Sequence, residues 1–283
     1  VPANTRYNYP LPDDLVLDNS ISALKSFALA YKEKQLNFFL AIGFYRPHIP
    51  WIFPEKFLEY YPLDDMDYPS NPHASAEIPD IALADFAEMM KYDDISALNL
   101  TGDHQMLMPY TNTKMLRRAY YASVTYVDHL VGQLLEAVRD EGVEDDTIIA
   151  MWGDHGFLLG EHAQWAKHSL FELATRIPMM VRIPGITDLG IVTKHVVELI
   201  DLYPTLAEAA GLPPVPKCPP HSRNTRTCTE GRSFLQLFKN PHSDNWTDIA
   251  LSEQGRFNAD TAESVVGQSM RTDSYRYTEW PQW

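Results

Sequence analysis

Three short apolar runs, set between long amphipathic or Pro-rich stretches, limit what this chain can fold into. NFFLAIG at residues 37–43, TIIAMW at 147–152 and PMMVRI at 178–183 all have strand length. The first two are continuously apolar, the pattern of strands covered on both faces, as in a parallel sheet. Residues 113–141 place Leu116, Tyr120, Val127, Leu130, Leu134 and Val138 on one side of a helix, with Gly142 as its stop. A helix is expected over residues 20–34, with Ser20 as N-cap and Ile21, Leu24, Ala28 and Tyr31 apolar. Another is expected over residues 204–210, with Pro204 in its first turn and Gly211 after it. Strands alternating with helices predict an α/β fold, a mostly parallel sheet sandwiched by helices.

The remaining stretches are less regular. Residues 1–18, rich in Pro and Asp, read as an irregular lead-in. Residues 44–111 are Pro-rich, aromatic and acidic, with brief helical patches near 54–60 and 82–90. Long loops of this kind are a usual seat of specificity. Residues 196–203 read as strand or loop, and later strands are expected at 249–252 and 275–278.

A chain of 283 residues can bury a sizeable core in one α/β domain. Its formal net charge of −15 argues against a nucleic-acid groove or a general polyanion surface, and leaves room for a local basic pocket. No apolar run reaches membrane-spanning length, so no transmembrane segment is expected. Cys218 and Cys228 lie in a short Pro-rich loop, PKCPPHSRNTRTC, whose size is compatible with a local disulfide worth about 2–3 kcal/mol. Sequons at Asn99 and Asn245 join that loop in pointing toward the secretory pathway. The sequence opens Val1-Pro2-Ala3, without Met or signal peptide, the mark of a processed chain or a fragment.

The chemistry gathers where the run at 147–152 ends. Gly153-Asp154-His155-Gly156 follows it directly, and ligands in open α/β sheets collect at the carboxyl ends of strands. The two glycines are expected to let the backbone turn sharply around Asp154 and His155. A carboxylate and an imidazole there suit a divalent cation, although Asp154 capping a turn beside a packed His155 is equally compatible with the pattern. Gly160-Glu161-His162 and Trp165-Ala166-Lys167 add a second histidine and a lysine within a dozen residues. A lysine beside a metal can hold a tetrahedral anion, and a histidine can pass a proton to a leaving oxygen. The spacing does not make a self-contained zinc site. Tyr45-Arg46-Pro47-His48-Ile49-Pro50 places His48 on a stiff loop past the run at 37–43, although a lone histidine is more often structural or merely exposed.

These motifs resemble the second half of the sulfatases, within the alkaline-phosphatase-like superfamily. Residues 178–185 and Asp201-Leu202-Tyr203-Pro204-Thr205-Leu206 match further stretches of that family. A narrower likeness, to the sulfatases of sulfated uronic acids, is carried by Pro47-His48-Ile49-Pro50, Ala122-Ser123-Val124-Thr125-Tyr126, the Cys218 and Cys228 spacing and residues 269–277. The resemblance implies that Asp154 and His155 are two ligands of one Ca²⁺ ion. It implies that Lys167 and His48 touch the sulfate, with His48 or a neighbour as proton donor to the leaving alcohol. Phe157 would border the substrate, and Cys218 and Cys228 would form a structural disulfide. The implied activity is sulfate removal from uronic acid residues of heparan or dermatan sulfate, in the lysosome or outside the cell. Asn99 and Asn245 would carry glycans.

The sequence departs from the family in one respect. Sulfatases act through a formylglycine made within a Cys/Ser-x-Pro/Ala-x-Arg motif. Cys218-Pro219-Pro220-His221-Ser222-Arg223 has its arginine one position too far and lies downstream of the metal pair. The tandem Asp pair that completes the family's Ca²⁺ site is missing as well, since neither Asp13-Asp14 nor Asp64-Asp65 follows a buried strand and Asp145-Asp146 precedes one. The expectation is a fragment whose nucleophile lies upstream, inactive alone: residues 1–215 from the later part of a catalytic domain, and 216–283 a disulfide loop and the start of a C-terminal subdomain. The alternatives are a non-catalytic extracellular relative, and a phosphodiesterase or phosphonate hydrolase of the same superfamily.

Overall fold

The structure, a computed structural model, describes residues 10–84, 86–100, 106–220, 227–258 and 263–281. In chain order its helices and strands are α1 (Pro12–Lys34), α2 (Asp93–Ser96), α3 (Tyr110–Asp140), β1 (Ile149–Trp152), β2 (Leu158–Leu159), β3 (Trp165–Ala166), α4 (Glu172–Thr175), β4 (Met179–Arg182), α5 (Leu202–Ala209), α6 (Leu235–Lys239), β5 (Ala250–Asn258), β6 (Glu263–Arg271) and β7 (Arg276–Glu279). Two compact units result. The first holds residues 1–77, 85–146 and 158–166, and the second holds 78–84, 147–157 and 167–283.

In the first unit α1 begins eight residues before the expected start, so residues 12–18 are helical rather than irregular and Ser20 is buried within the helix. Pro12 opens it with a preset φ, and Asp13 and Asp14 place negative charge at its positive end. The Asp14 carboxylate also accepts the Leu11 N–H at 2.9 Å. This is ordinary N-terminal chemistry, overlooked because the cap residue is not polar. α3 runs close to its expected span, and its buried face includes Leu116, Ala122, Tyr126 and Leu130. Tyr126 packs on Phe57, and Trp51 meets Tyr120 edge-on. Two turns of 3₁₀ helix at Glu55–Tyr60 and single turns at Leu63–Asp65 and Met89–Lys91 punctuate the loop region of this unit, and a turn at Asp80–Ala82 falls in the second.

The expected strand at 37–43 is not paired among the described residues. The segment is unassigned to any strand, alternating half-buried with exposed positions, and Phe39 is 84% exposed. An apolar run becomes a buried strand only where neighbours take up its backbone hydrogen bonds.

In the second unit β1 and β4 pair with the register Ile149↔Arg182 to Trp152↔Met179. The pair is antiparallel, as are the other ladders of the described residues, whereas parallel pairing was expected from the apolar runs. β1 is half-buried rather than covered on both faces, with Trp152 at 46% exposure. Ala150, Met179 and Val181 pack on a core of Leu202, Phe234, Leu237 and Trp246 from α5, α6 and the loop beyond. Of residues 196–203, expected as strand or loop, 196–198 are loop, Leu199–Asp201 a 3₁₀ turn, and the last two open α5. The later strands at 249–252 and 275–278 grow into the three-stranded sheet β5-β6-β7, whose middle strand β6 was not expected. Cys218 and Cys228 are joined in a disulfide with Cα atoms 4.9 Å apart.

Candidate active site

β1 ends in Trp152, and Gly153 continues the pairing by donating its N–H to the Pro178 carbonyl at 3.2 Å. The chain then turns. Gly156 donates to the Ala174 carbonyl at 2.8 Å, which lays the turn along α4. Only one of the two glycines is required by this geometry. A Cβ at Gly156 would lie 2.0 Å from the Leu173 carbonyl oxygen, whereas one at Gly153 would meet nothing closer than 3.5 Å. Neither has a left-handed φ, so close backbone approach, not conformational freedom, demands Gly156.

That turn presents Asp154 and His155 together. Their side chains lie 3.5 Å apart, with the Asp154 side chain 86% exposed and the His155 ring 35%. One Asp154 oxygen accepts the His155 N–H at 2.9 Å. His155 Nδ1 sits 2.8 Å from the Gly156 carbonyl, an acceptor that places a proton on Nδ1 and leaves Nε2, 3.5 Å from Asp154 Oδ2, as the lone-pair atom. A hard carboxylate and an imidazole are fitting donors for a divalent cation, and Ca²⁺ takes six to eight ligands, mostly oxygens. Among the described residues no group of three or more His, Cys, Asp and Glu is gathered that could hold a metal. Half-buried Phe157 and Lys167 belong to the same unit.

The intervening residues 158–166 belong to the first unit and are bent hard. Gly160, His162, Ala163 and Ala166 have φ of 102°, 53°, 56° and 70°, a cluster of left-handed backbone rare for residues with a side chain. The bend is held from three directions. Glu161 accepts the Leu159 N–H at 2.7 Å and a charge-assisted bond from buried Arg117 at 2.8 Å. The backbone N–H groups of His162 and Ala163 donate to the carbonyls of Asn71 and Pro72, both at 2.8 Å. The Asn71 amide also meets His162 Nε2 at 3.0 Å.

His48 lies in the first unit on a loop more rigid than its prolines alone would make it. Buried Asp13 accepts the N–H groups of Tyr45 and Arg46, at 2.6 and 3.2 Å. Arg46 Nε donates to the Ile52 carbonyl at 2.8 Å, and Trp51 Nε1 to that of Pro47 at 2.8 Å. Burial lowers the Arg46 pKa, with the Asp13 carboxylate opposing that shift. Burial likewise pushes the Tyr92 hydroxyl up to about 12, leaving it protonated where it accepts the Trp51 N–H at 2.8 Å. His48 Nδ1 lies 2.5 Å from the Ile49 carbonyl, so Nδ1 carries a proton and exchange with a ligand falls to Nε2. Spacing gave no sign of Asp13 here, since its partners stand 32 and 33 residues away. Neither Asp13 nor Asp14 serves as a free metal ligand, for Asp14 accepts the Tyr126 hydroxyl at 2.6 Å.

Of the other expected sites, Asn99 and Asn245 are both exposed, and Thr101 of the first sequon lies outside the described residues. So do His221, Ser222 and Arg223 of the loop that echoes the formylglycine motif.

The fold is α/β, with Asp154 and His155 just past the carboxyl end of β1 and Lys167 about a dozen residues on. A family model described as Sulfatase matches residues 2–212, and one described as N-sulphoglucosamine sulphohydrolase, C-terminal, matches 160–282. The chain belongs to the sulfatase family. Within it, the chain is 34% identical to iduronate 2-sulfatase of Mus musculus and 32% identical to that of Homo sapiens, each across 95% of this chain and 56% of the relative. The chain thus spans about half the length of the curated relatives it matches. Among solved structures, a protein in complex with its substrate D-glucosamine-2-N,6-O-disulfate superposes with a TM-score of 0.70 at 20% identity, over 95% of this chain and 62% of that one. A phosphonate monoester hydrolase from Silicibacter pomeroyi superposes with a TM-score of 0.61 at 21% identity, over 94% and 54%. At such identities these two likenesses describe the α/β sulfatase-type fold alone.

Proposed function

We propose that this chain carries the metal-pair and anion-holding part of a sulfuric ester hydrolase for iduronate 2-sulfate residues of heparan and dermatan sulfate, working in the lysosome or outside the cell. The observation that carries this reading is the likeness to two iduronate 2-sulfatases along 95% of the chain. In this reading Asp154 and His155 hold one Ca²⁺, with further ligands from outside the described residues. The bound ion would polarise the sulfate oxygens and neutralise their charge. Lys167 holds the sulfate as a compact cation. His48 gives a proton from Nε2 to the leaving alcohol, its ring held by the Ile49 carbonyl. Phe157 borders the sugar. Glycans on exposed Asn99 and Asn245 suit a protein of the secretory pathway, and among the described residues no helix is long and apolar enough to cross a membrane. In domain terms, residues 1–215 supply catalytic-domain elements and 216–283 open a C-terminal subdomain.

The test is turnover by the intact protein of a fluorogenic iduronate 2-sulfate, set beside a glucosamine 6-sulfate and a phosphonate monoester. The first should be cut at least tenfold faster in kcat/KM. Asp154→Ala and Lys167→Ala should each lose about 10²-fold or more, the scale of removing one charge-stabilising group, while keeping the wild-type Tm within a few degrees. Preference for the phosphonate would assign a different ester, and no turnover of any of the three would favour a non-catalytic relative.

A further inference from the structure

The second unit contains a charged cluster that the proposed chemistry does not use. Glu172, at the start of α4, receives Arg276 Nη2 at 2.8 Å and Arg271 Nε and Nη2 at 3.3 Å each. Both arginines come from the β6-β7 corner, within the 269–277 motif. Their side chains lie on the same face of the sheet, since Arg271 and Arg276 are cross-strand partners. Arg276 Nη1 is fixed in turn by the Ser269 hydroxyl at 3.1 Å. A two-pronged contact from Arg271 and a single bond from Arg276 converge on one carboxylate and tie down α4, a helix of only one turn that could not hold its place by its own hydrogen bonds.

α4 is also the surface on which the Asp154-His155 turn rests. Gly156 donates to the Ala174 carbonyl at 2.8 Å, and its Cα faces the Leu173 and Arg176 carbonyls too closely to admit a methyl group. We infer that Arg271, Arg276 and Glu172 are positioning residues for the Asp154-His155 pair, acting through α4 and the Gly156 hydrogen bond. The inference rests on the reading of that pair as metal ligands. No member of the cluster touches the pair directly, so its effect travels through two rigid contacts. It thereby gives a role to a C-terminal motif about a hundred residues from the pair in sequence.

The experiment compares wild type, Glu172→Gln, Arg271→Lys and Asp154→Ala in the intact protein. Two quantities are read: Ca²⁺ affinity by calorimetry, and amide hydrogen exchange at Gly156. Glu172→Gln should weaken Ca²⁺ binding about tenfold, the lower end for groups that orient a ligand from outside. It should also speed exchange at Gly156 while the amides of α5 keep their rates. Arg271→Lys keeps the charge but loses the two-pronged contact, so it should fall between wild type and Glu172→Gln, and it serves if Glu172→Gln does not fold. Wild-type Ca²⁺ affinity and Gly156 exchange in the folded variants, with Asp154→Ala binding no Ca²⁺, would overturn the positioning role and leave the metal reading intact. Unchanged Ca²⁺ affinity in Asp154→Ala would sink the metal reading, and the positioning role with it.

Discussion

At Gly156 an added methyl would meet the carbonyl oxygens of Leu173 and Arg176, at 2.0 and 2.9 Å, and neither is a side chain that can swing aside. At Gly153 the same group finds only ordinary contacts. Two glycines that look equivalent in the sequence are therefore expected to respond differently. Gly156→Ala must push the Asp154-His155 turn off α4 and break the bond to Ala174, at a cost on the overpacking scale of about 1–3 kcal/mol. Gly153→Ala should be close to neutral. Urea unfolding of the two variants checks this, and equal stabilities would mean that the turn does not rest on α4. That a turn follows β1 was legible in the sequence, because two glycines bracket a polar pair directly after a strand-length run. Which glycine matters was not, since the obstacle comes from carbonyls about twenty positions away.

Elements formed where local chemistry suffices, and differed where it does not. The long helix α3 follows its apolar stripe, and α5 follows Pro204 and Gly211. The strand expected at 37–43 depends on partners that periodicity cannot supply, and β6 escaped notice because its nine residues, ESVVGQSMR, mix polar and small side chains. β6 and β7 are also tied to α4 by charge, and that tie has a pH signature. Burial pushes the Glu172 carboxyl up, but hydrogen bonds from Arg276 and Arg271 outweigh it and hold its pKa below the ordinary 4.5. A carboxylate lowered by folding stabilises the fold fully above its unfolded value and loses that contribution as pH falls through the folded one. Wild type should thus be more stable than Glu172→Gln at pH 6, and the gap should close as pH drops below about 4. Because the Glu172 side chain is 36% exposed, solvent screens the gap and keeps it small. Chemical denaturation of both proteins across pH 3 to 7 would show it, and a gap that widens toward acid would contradict the sign.

At the scale of the whole molecule, the sequence motifs divide between the two units. His48 belongs to the first, and Asp154, His155, Phe157 and Lys167 to the second, while the bend between Phe157 and Lys167 returns to the first. The order of these residues along the chain was enough to suggest a shared chemistry, but not the hydrogen bonds that hold each one. The nucleophile sets the last expectation. No Cys/Ser-x-Pro/Ala-x-Arg motif occurs in the sequence, and the two cysteines are committed to each other in a disulfide. The described residues likewise gather no group of three or more metal-binding side chains. A polypeptide of these 283 residues alone is therefore expected to leave a fluorogenic sulfate ester intact over the uncatalysed background, even with millimolar Ca²⁺. In the proposed reading Lys167 and His48 stabilise and protonate, and neither is the nucleophile. The measurement is release of fluorophore by the purified chain beside the intact protein at equal concentration. Turnover by the chain alone, abolished by Lys167→Ala, would mean that a nucleophile lies within these residues and that the division of labour drawn above is wrong.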